Sequence, residues 1–196
     1  MKRGLALFDF DGTITKRDTL FEFIIFYKGL LIFLVGMTWL LPSLTLFKLK
    51  MVKDSVVKEK VLRYFFKGMS SSSFEILCAD FTQLQLPKLI RPKALDKIKQ
   101  HKKNGDRVVV VSASIQTWIQ GWCNAQDIEL IATQIEISNN IITGKLSSPN
   151  CNGLEKVTRI RNYLTLSDYN PIYAYGNSSG DKPMLDLAAY RFYKEF

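Results

Sequence analysis

Two carboxylates, Asp9 and Asp11, alternate with a phenylalanine in Phe8-Asp9-Phe10-Asp11-Gly12-Thr13. Alternate residues of a strand share a face, so these acids repel each other unless a cation lies between them or the chain turns to separate them. A hard cation such as Mg²⁺ accepts one or two carboxylates together with water and phosphate oxygen, and would neutralise the pair. The same spacing also describes an ordinary acidic exit from a strand into a loop.

Three further junctions carry comparable groups. Ser112 follows four consecutive valines and precedes Ala113 and Ser114 at a predicted helix start. A hydroxyl and free backbone N–H groups can hold an anion there, although a plain helix cap would use the same residue. Lys156 falls in the first turn of a predicted helix, where a cation opposes the helix dipole, so stability alone does not account for it. A solvated lysine is the alternative. The segment YGNSSGD, Tyr175 to Asp181, ends a strand with a flexible loop that offers an amide oxygen at Asn177 and an acid at Asp181. Asp181 would also serve as an N-cap.

These groups need elements that bring them to one place. Short apolar runs at Leu5 to Phe10, Arg107 to Val111, Ile128 to Ala132 and Pro171 to Tyr175 are predicted strands, with Arg191 to Tyr193 a short edge strand. Helical patterns fall at Pro92 to Asn104, stopped by Gly105, and at Ile115 to Ala125, Leu154 to Leu164 and Asp181 to Ala189. Strands alternating with helices imply a parallel sheet in a three-layer α/β/α fold, with the four polar strand ends on one rim. Gln134 to Leu146 departs from the alternation, and its Asn139-Asn140 step predicts a hairpin turn. Ser70 to Ser73 reads as a loop and N-cap before Phe74. Thr19 to Leu86 is long, helical in pattern and directly follows the first strand. We therefore expect a helical cap at residues 18–87 and a core of residues 1–17 and 88–196. An insertion after the first strand sits over the carboxyl ends where such sheets bind ligands.

With its four motifs in order across nearly the whole chain, the sequence resembles the haloacid dehalogenase superfamily. The matching segments are DFDGT at Asp9 to Thr13, Ser112 after VVVV, Lys156 in NGLEK and GNSSGD at Gly176 to Asp181. The resemblance implies a Rossmann-like core and a hydrolase of phosphate monoesters in which Asp9 attacks phosphorus. It gives Asp11 the roles of protonating the leaving alcohol and then activating water. It places Thr13, Ser112, Ala113 and Lys156 around the phosphoryl oxygens, and Mg²⁺ on the Asp9 carboxylate, the Asp11 carbonyl, Asn177 and Asp181. Asn177 departs from the family's usual aspartate: an amide oxygen can ligate Mg²⁺ but adds no charge. Asp11 points away from the dehalogenase branch, which lacks this second acid.

The helical insertion resembles the subgroup of phosphoserine phosphatases and bacterial phosphatidylglycerophosphate phosphatases. Asp18 falls where the phosphoserine enzymes carry a substrate-binding acid. Lys58, Lys60 and Arg63 are candidates for their cap arginine, with no register to choose among them. The expected substrate is a lipid or hydrophobic phosphate, with a small phosphorylated metabolite such as phosphoserine as the alternative. A phosphotransferase or phosphonate hydrolase would share the nucleophile, and a non-catalytic basic adaptor at a membrane is the reading from another class.

Charge and hydropathy bear on partners. A net charge of +9 and pI near 9.4 favour anionic partners. Lysine and arginine are spread without interleaved aromatics, which argues against sequence-directed nucleic-acid binding. Gly29 to Phe47 contains no charged residue. One membrane crossing there would put Asp9 and Ser112 on opposite sides, so the open readings are an even number of crossings, a hairpin bent near Gly36 or Pro42, an interfacial segment, or a packed cap core. Lys28, Lys48, Lys50 and Lys53 flank it. Three cysteines, Cys78, Cys123 and Cys151, without metal-ligand spacing fit reduced thiols in a cytoplasmic protein, peripheral to the inner face of a membrane if the cap touches one. His101 is expected on the surface of a basic helix, and Trp118 and Trp122, at helical spacing, in packing roles.

Overall fold

The computed structural model describes residues 2–49 and 51–196; Lys50 and the Lys48 side chain, two of the flanking cations, lie outside that description. Strand β1 (Arg3–Phe8) is central in a five-stranded, all-parallel sheet with β2 (Arg107–Ile115), β3 (Glu129–Thr133), β6 (Tyr169–Gly176) and β7 (Tyr190–Tyr193), in the order β3-β2-β1-β6-β7. The chain runs outward from β1 to β3 on one side and returns to β6 and β7 on the other. The carboxyl end of β1 is therefore the point where strand order reverses, which is where such sheets bind ligands.

Both faces of the sheet are covered, which explains its unbroken apolar strands. Ala6, Phe8, Val108 and Val110 pack on one side with Ile98 of α6 (Pro92–Lys103) and Ile119 of α7 (Gln116–Ala125). Leu5, Leu7, Val109 and Val111 pack on the other with Ile160 of α8 (Leu154–Tyr163) and Met184 of α9 (Lys182–Leu185). The free thiols lie in these interiors, and burial pushes Cys123 up to about 12 and Cys151 up to about 11.

Between β1 and β2 stand α1 (Thr19–Lys28), α2 (Leu30–Lys48), α3 (Asp54–Phe66), α4 (Ser71–Leu84) and the single turn α5 (Leu86–Leu89). Asp18 caps α1 by accepting the Leu20 N–H at 2.9 Å, and Ser70 caps α4 through the Ser73 N–H at 3.1 Å. The two ends of the insertion are laced together: Thr15 bridges Ile90, and Lys16 N donates to Leu89 O at 2.8 Å. The hairpin of β4 (Ile135–Ser138) and β5 (Ile141–Leu146) turns on Asn139 and Asn140, whose positive φ values of 50° and 60° suit a tight hairpin turn. It packs on α3, with Gly144 so close to the Arg63 backbone that a side chain would not fit.

Three expectations change in detail. β2 continues four residues past Val111, because Ser112 and Ser114 alternate inward with the valines and both are buried. Asp181 to Ala189 is not one helix: a short turn at 179–181 leads into α9, which ends at Leu185. Helix α2 is continuous across Gly36 and Pro42 and does not fold back into a hairpin, and among the described residues no helix is long and apolar enough to cross a membrane.

Candidate active site

The β1 strand ends by passing its ladder to β6, with Asp9 N donating to Tyr175 O at 2.9 Å, and this fixes the Asp9 side chain on the rim. Asp9 is 6% exposed. Its Oδ1 lies 2.6 Å from Lys156 Nζ, and its Oδ2 accepts the Thr13 hydroxyl at 3.0 Å. Burial raises the Asp9 carboxyl to about 6, with Lys156 pulling down against it and Asp181 and Asp11 pushing up.

Lys156 is fully buried and has three acceptors, Asp9 Oδ1, Asp181 Oδ1 at 2.7 Å and Val111 O at 2.8 Å. Burial alone would lower its pKa; the two carboxylates outweigh this and hold the ammonium well above its usual range. An ammonium with all three protons directed at acceptors explains a cation in the first turn of α8 against the dipole.

Asp181 has both oxygens committed. Oδ1 meets Lys156, while Oδ2 accepts the Asn177 N–H at 3.0 Å, the Ser178 N–H at 2.8 Å and the Ser178 hydroxyl at 2.7 Å. Burial would raise this carboxyl, and Lys156 and Ser178 bring it below its usual value. The Asp181 side chain thus anchors the lysine and ties the 177–178 loop. It does not cap α9, since it points back along the chain.

Asp11 is held by another set of partners. Its Oδ1 accepts Thr19 N at 2.8 Å, and its Oδ2 accepts the Ser114 hydroxyl. Ser114 Oγ is also 2.7 Å from Thr19 Oγ1, which accepts Trp118 Nε1 at 3.2 Å. Burial raises Asp11 to about 6, with Asp18 adding to the shift and the Ser114 and Thr19 hydrogen bonds opposing it. The two neighbouring acids are thus fastened to different elements, Asp9 to α8 and Asp11 to β2 and the start of α1.

These groups line a cavity of about 520 Å³ together with Asp18, Ala113, Asn152, Asn177 and Ser178. A larger cleft of about 1050 Å³, between α4, α7 and the hairpin, has Glu75 as its single ionisable lining residue and is not where the chemistry gathers. Of the expected phosphate-binding residues, Ala113, Asp18 and Lys156 reach the cavity. Thr13 and Ser112 sit beneath it: Thr13 spends its hydroxyl on Asp9, and the Ser112 oxygen accepts the Ser114 N–H at 3.0 Å. Helix α7 starts only at Gln116, so Ser112 is not at a helix N-terminus.

Of the three cap cations, Lys58 alone lines the cavity. Its Nζ donates to Ala113 O at 2.8 Å and Asn150 Oδ1 at 2.7 Å, and burial lowers its pKa. Lys60 is exposed, with its ammonium on Ser43 Oγ, and Arg63 pairs with Glu59 at 3.6 Å. Asp54, one turn before Lys58, accepts the amides of Asn150 at 2.8 Å and Asn152 at 2.7 Å. Sequence reasoning missed Thr19, Asn150 and Asn152 altogether. Their signal was weak, since neutral polar residues at a helix start, as Thr19, or in a loop, as Asn150 and Asn152, are common.

His101 is corrected. It is 4% exposed, with Nδ1 2.7 Å from Asp106 Oδ2 and Nε2 2.8 Å from the Tyr175 hydroxyl, and it lies away from the cavity. Trp118 and Trp122 are core residues, Trp118 stacked on Phe23 and Trp122 edge-on to Phe10.

Among the described residues no three His, Cys, Asp or Glu side chains are grouped to hold a metal. A donor set of another composition is present. The Asp11 carbonyl and the Asn177 side-chain amide have no hydrogen-bond partner among the described residues, and both residues line the cavity beside Asp9. Gly12, at φ 76°, is the residue against which the Asn177 amide rests, and a Cβ there would collide with it. One carboxylate, one carbonyl and one amide are oxygen donors of the kind Mg²⁺ accepts, so these residues fit the ion.

A parallel sheet with a buried Asp-Lys-Asp cluster at its switch point has the form of an α/β ligand site with charged chemistry at its floor. The chain belongs to the haloacid dehalogenase-like hydrolases, whose family model matches residues 6–186. It is 30% identical over 194 residues to protein CicA of Caulobacter vibrioides, covering 98% of this chain and 86% of that one. Its fold is similar to a protein of unknown function from Bordetella pertussis Tohama I, with TM-score 0.83, 20% identity and coverage of 96% and 88% of the two chains. It is also similar in fold to a substrate-bound phosphoserine phosphatase, with TM-score 0.72, 15% identity and coverage of 98% and 86%.

Proposed function

We propose that the protein is a Mg²⁺-dependent phosphate-monoester hydrolase that works through an aspartyl-phosphate on Asp9. The observation that carries this reading is the pairing of Asp9 with Lys156 while Asp11 is held separately by Ser114 and Thr19. Two carboxylates with different partners can take different roles. An Asp9 oxygen attacks phosphorus, the P–O bond to the ester oxygen breaks, and Asp11 in its acid form gives its proton to the departing alkoxide. Water then attacks the same phosphorus, Asp11 takes its proton, and the bond to Asp9 breaks to release inorganic phosphate. An upward-shifted Asp11 suits both steps. Lys156, kept charged by Asp181, offsets the negative charge of Asp9 and of the phosphoryl oxygens. Mg²⁺ bound to the Asp9 carboxylate, the Asp11 carbonyl and the Asn177 amide would supply further positive charge to those oxygens.

The alcohol part of the substrate faces the cap. Leu20, Phe21, Val57 and Val61 line that side of the cavity, which favours an apolar group beyond the phosphate. Asp18 and Lys58, an acid and a cation in the same cavity, favour an amino-acid phosphate such as phosphoserine as the second reading. Mg²⁺-dependent hydrolysis of p-nitrophenyl phosphate by the wild type and its loss in Asp9→Asn test the reaction. Activity surviving that substitution excludes Asp9 as nucleophile, and wild-type inactivity favours the adaptor. A panel of phosphorylated metabolites and detergent-dispersed lipid phosphates then separates the two substrate classes, with a preference for phosphoserine overturning the apolar one.

A further inference from the structure

Helix α2 presents a surface that its own fold leaves uncovered. Its inner side packs through Phe33, Met37 and Leu40, and Gly36 approaches α3 so closely that a Cβ would strike the rings of Tyr64 and Phe65. The outer side is apolar too. Leu31 is 80% exposed, Trp39 76%, Val35 55% and Leu34 50%. A helix apolar all round its circumference requires a non-aqueous neighbour on every side, and a contiguous exposed patch of this kind marks a contact surface.

The charges around the patch select the neighbour. Lys53, Lys60 and Lys67 are exposed along α3 and at its ends, and Lys60 Nζ lies 2.8 Å from Ser43 Oγ on α2 itself. A symmetric second copy would set this basic rim against itself, whereas anionic headgroups complement it. Helix α2 also reaches the site: Phe21 lines the cavity and its ring centroid is 5.7 Å from that of Phe33 on the inner side of α2.

We propose that α2 is an interfacial helix that seats the protein on an anionic phospholipid bilayer, with the cavity mouth at the membrane surface. A phosphorylated lipid would then be acted on while its acyl chains stay in the bilayer. This last point rests on the phosphatase reading, and the docking does not.

The test is flotation of the full chain with vesicles of phosphatidylcholine alone and of phosphatidylcholine mixed with phosphatidylglycerol. Trp118 and Trp122 are buried, so a change in tryptophan emission on adding vesicles reports Trp39. Flotation with the mixed vesicles, weaker flotation with phosphatidylcholine alone and a blue shift are expected. The double variant Leu31→Glu/Val35→Glu should lose the bound fraction by about tenfold and keep wild-type hydrolysis of a small soluble ester. Lys53→Glu/Lys67→Glu should lose the preference for the anionic vesicles. Absence of flotation, equal flotation by the glutamate variant, or a solution dimer that this variant splits without any vesicle binding would overturn the proposal. Flotation without hydrolysis counts against the reaction alone, and hydrolysis without flotation against the docking alone.

Discussion

Asp181 holds Lys156 at 2.7 Å through one carboxylate oxygen and ties the Asn177-Ser178 backbone through the other. One side chain thus sets both the lysine that faces Asp9 and the loop that carries the Asn177 amide. Asp181→Asn leaves Lys156 paired with Asp9 but removes the carboxylate that accepts from Lys156, Ser178 and the 177–178 backbone, and is expected to destabilise the protein by roughly 1–3 kcal/mol. Thermal and denaturant unfolding measure it. An unchanged stability would mean that Asp181 anchors neither the lysine nor the loop.

Asn177→Asp tests the metal assignment without changing the shape that fits against Gly12. A second carboxylate among the donors should lower the Mg²⁺ concentration for half-maximal activity by roughly tenfold, about 1.4 kcal/mol. An unchanged Mg²⁺ titration would remove Asn177 from the donor set.

Ser114→Ala removes a hydrogen bond that favours the charged form of Asp11. The Asp11 carboxyl should therefore rise further above about 6. The fall of kcat/KM on the alkaline side, where the acid form is lost, should move to higher pH as the overall rate drops. A rate decrease with an unmoved limb would assign Ser114 to packing alone.

Asp9 and Asp11 each rise from 3.8 to about 6 on folding without a metal. A folded value above the unfolded one contributes stability that is present below the unfolded value and lost as pH rises through the folded one. The metal-free protein should accordingly lose stability across this window. Mg²⁺ requires the Asp9 carboxylate in its charged form, so the rise in Tm on adding Mg²⁺ should be larger at about pH 7.5 than at about pH 5. Equal rises at both would mean that the ion binds elsewhere.

Much of the sheet was legible because its strands are short apolar runs, the valines of β2 most plainly, and the hairpin turns on an Asn-Asn pair. The rim was legible as a set of polar strand ends, since one parallel sheet must collect them. The limits are local. Ser112 and Ser114 follow the valine alternation into the interior, and hydropathy alone reads small hydroxyl residues as an exit. His101 looked exposed because Asp106 lies across a turn and Tyr175 is on another strand, so neither partner is visible at helical spacing. Choosing Lys58 over Lys60 needs the rotation of α3 against the core. The apolar run of α2 reads the same whether a helix is covered by protein or left bare.

The bridge between Thr15 and Ile90 carries a consequence for the rest of the chain. To the sheet, the whole helical insertion behaves as a loop whose ends are already joined, so lengthening or exchanging it adds little closure entropy to the core. The helices beyond the joined ends can therefore vary in length without loosening the strands, so long as Thr19 and Lys58, which reach back to Asp11 and Ala113, keep their places.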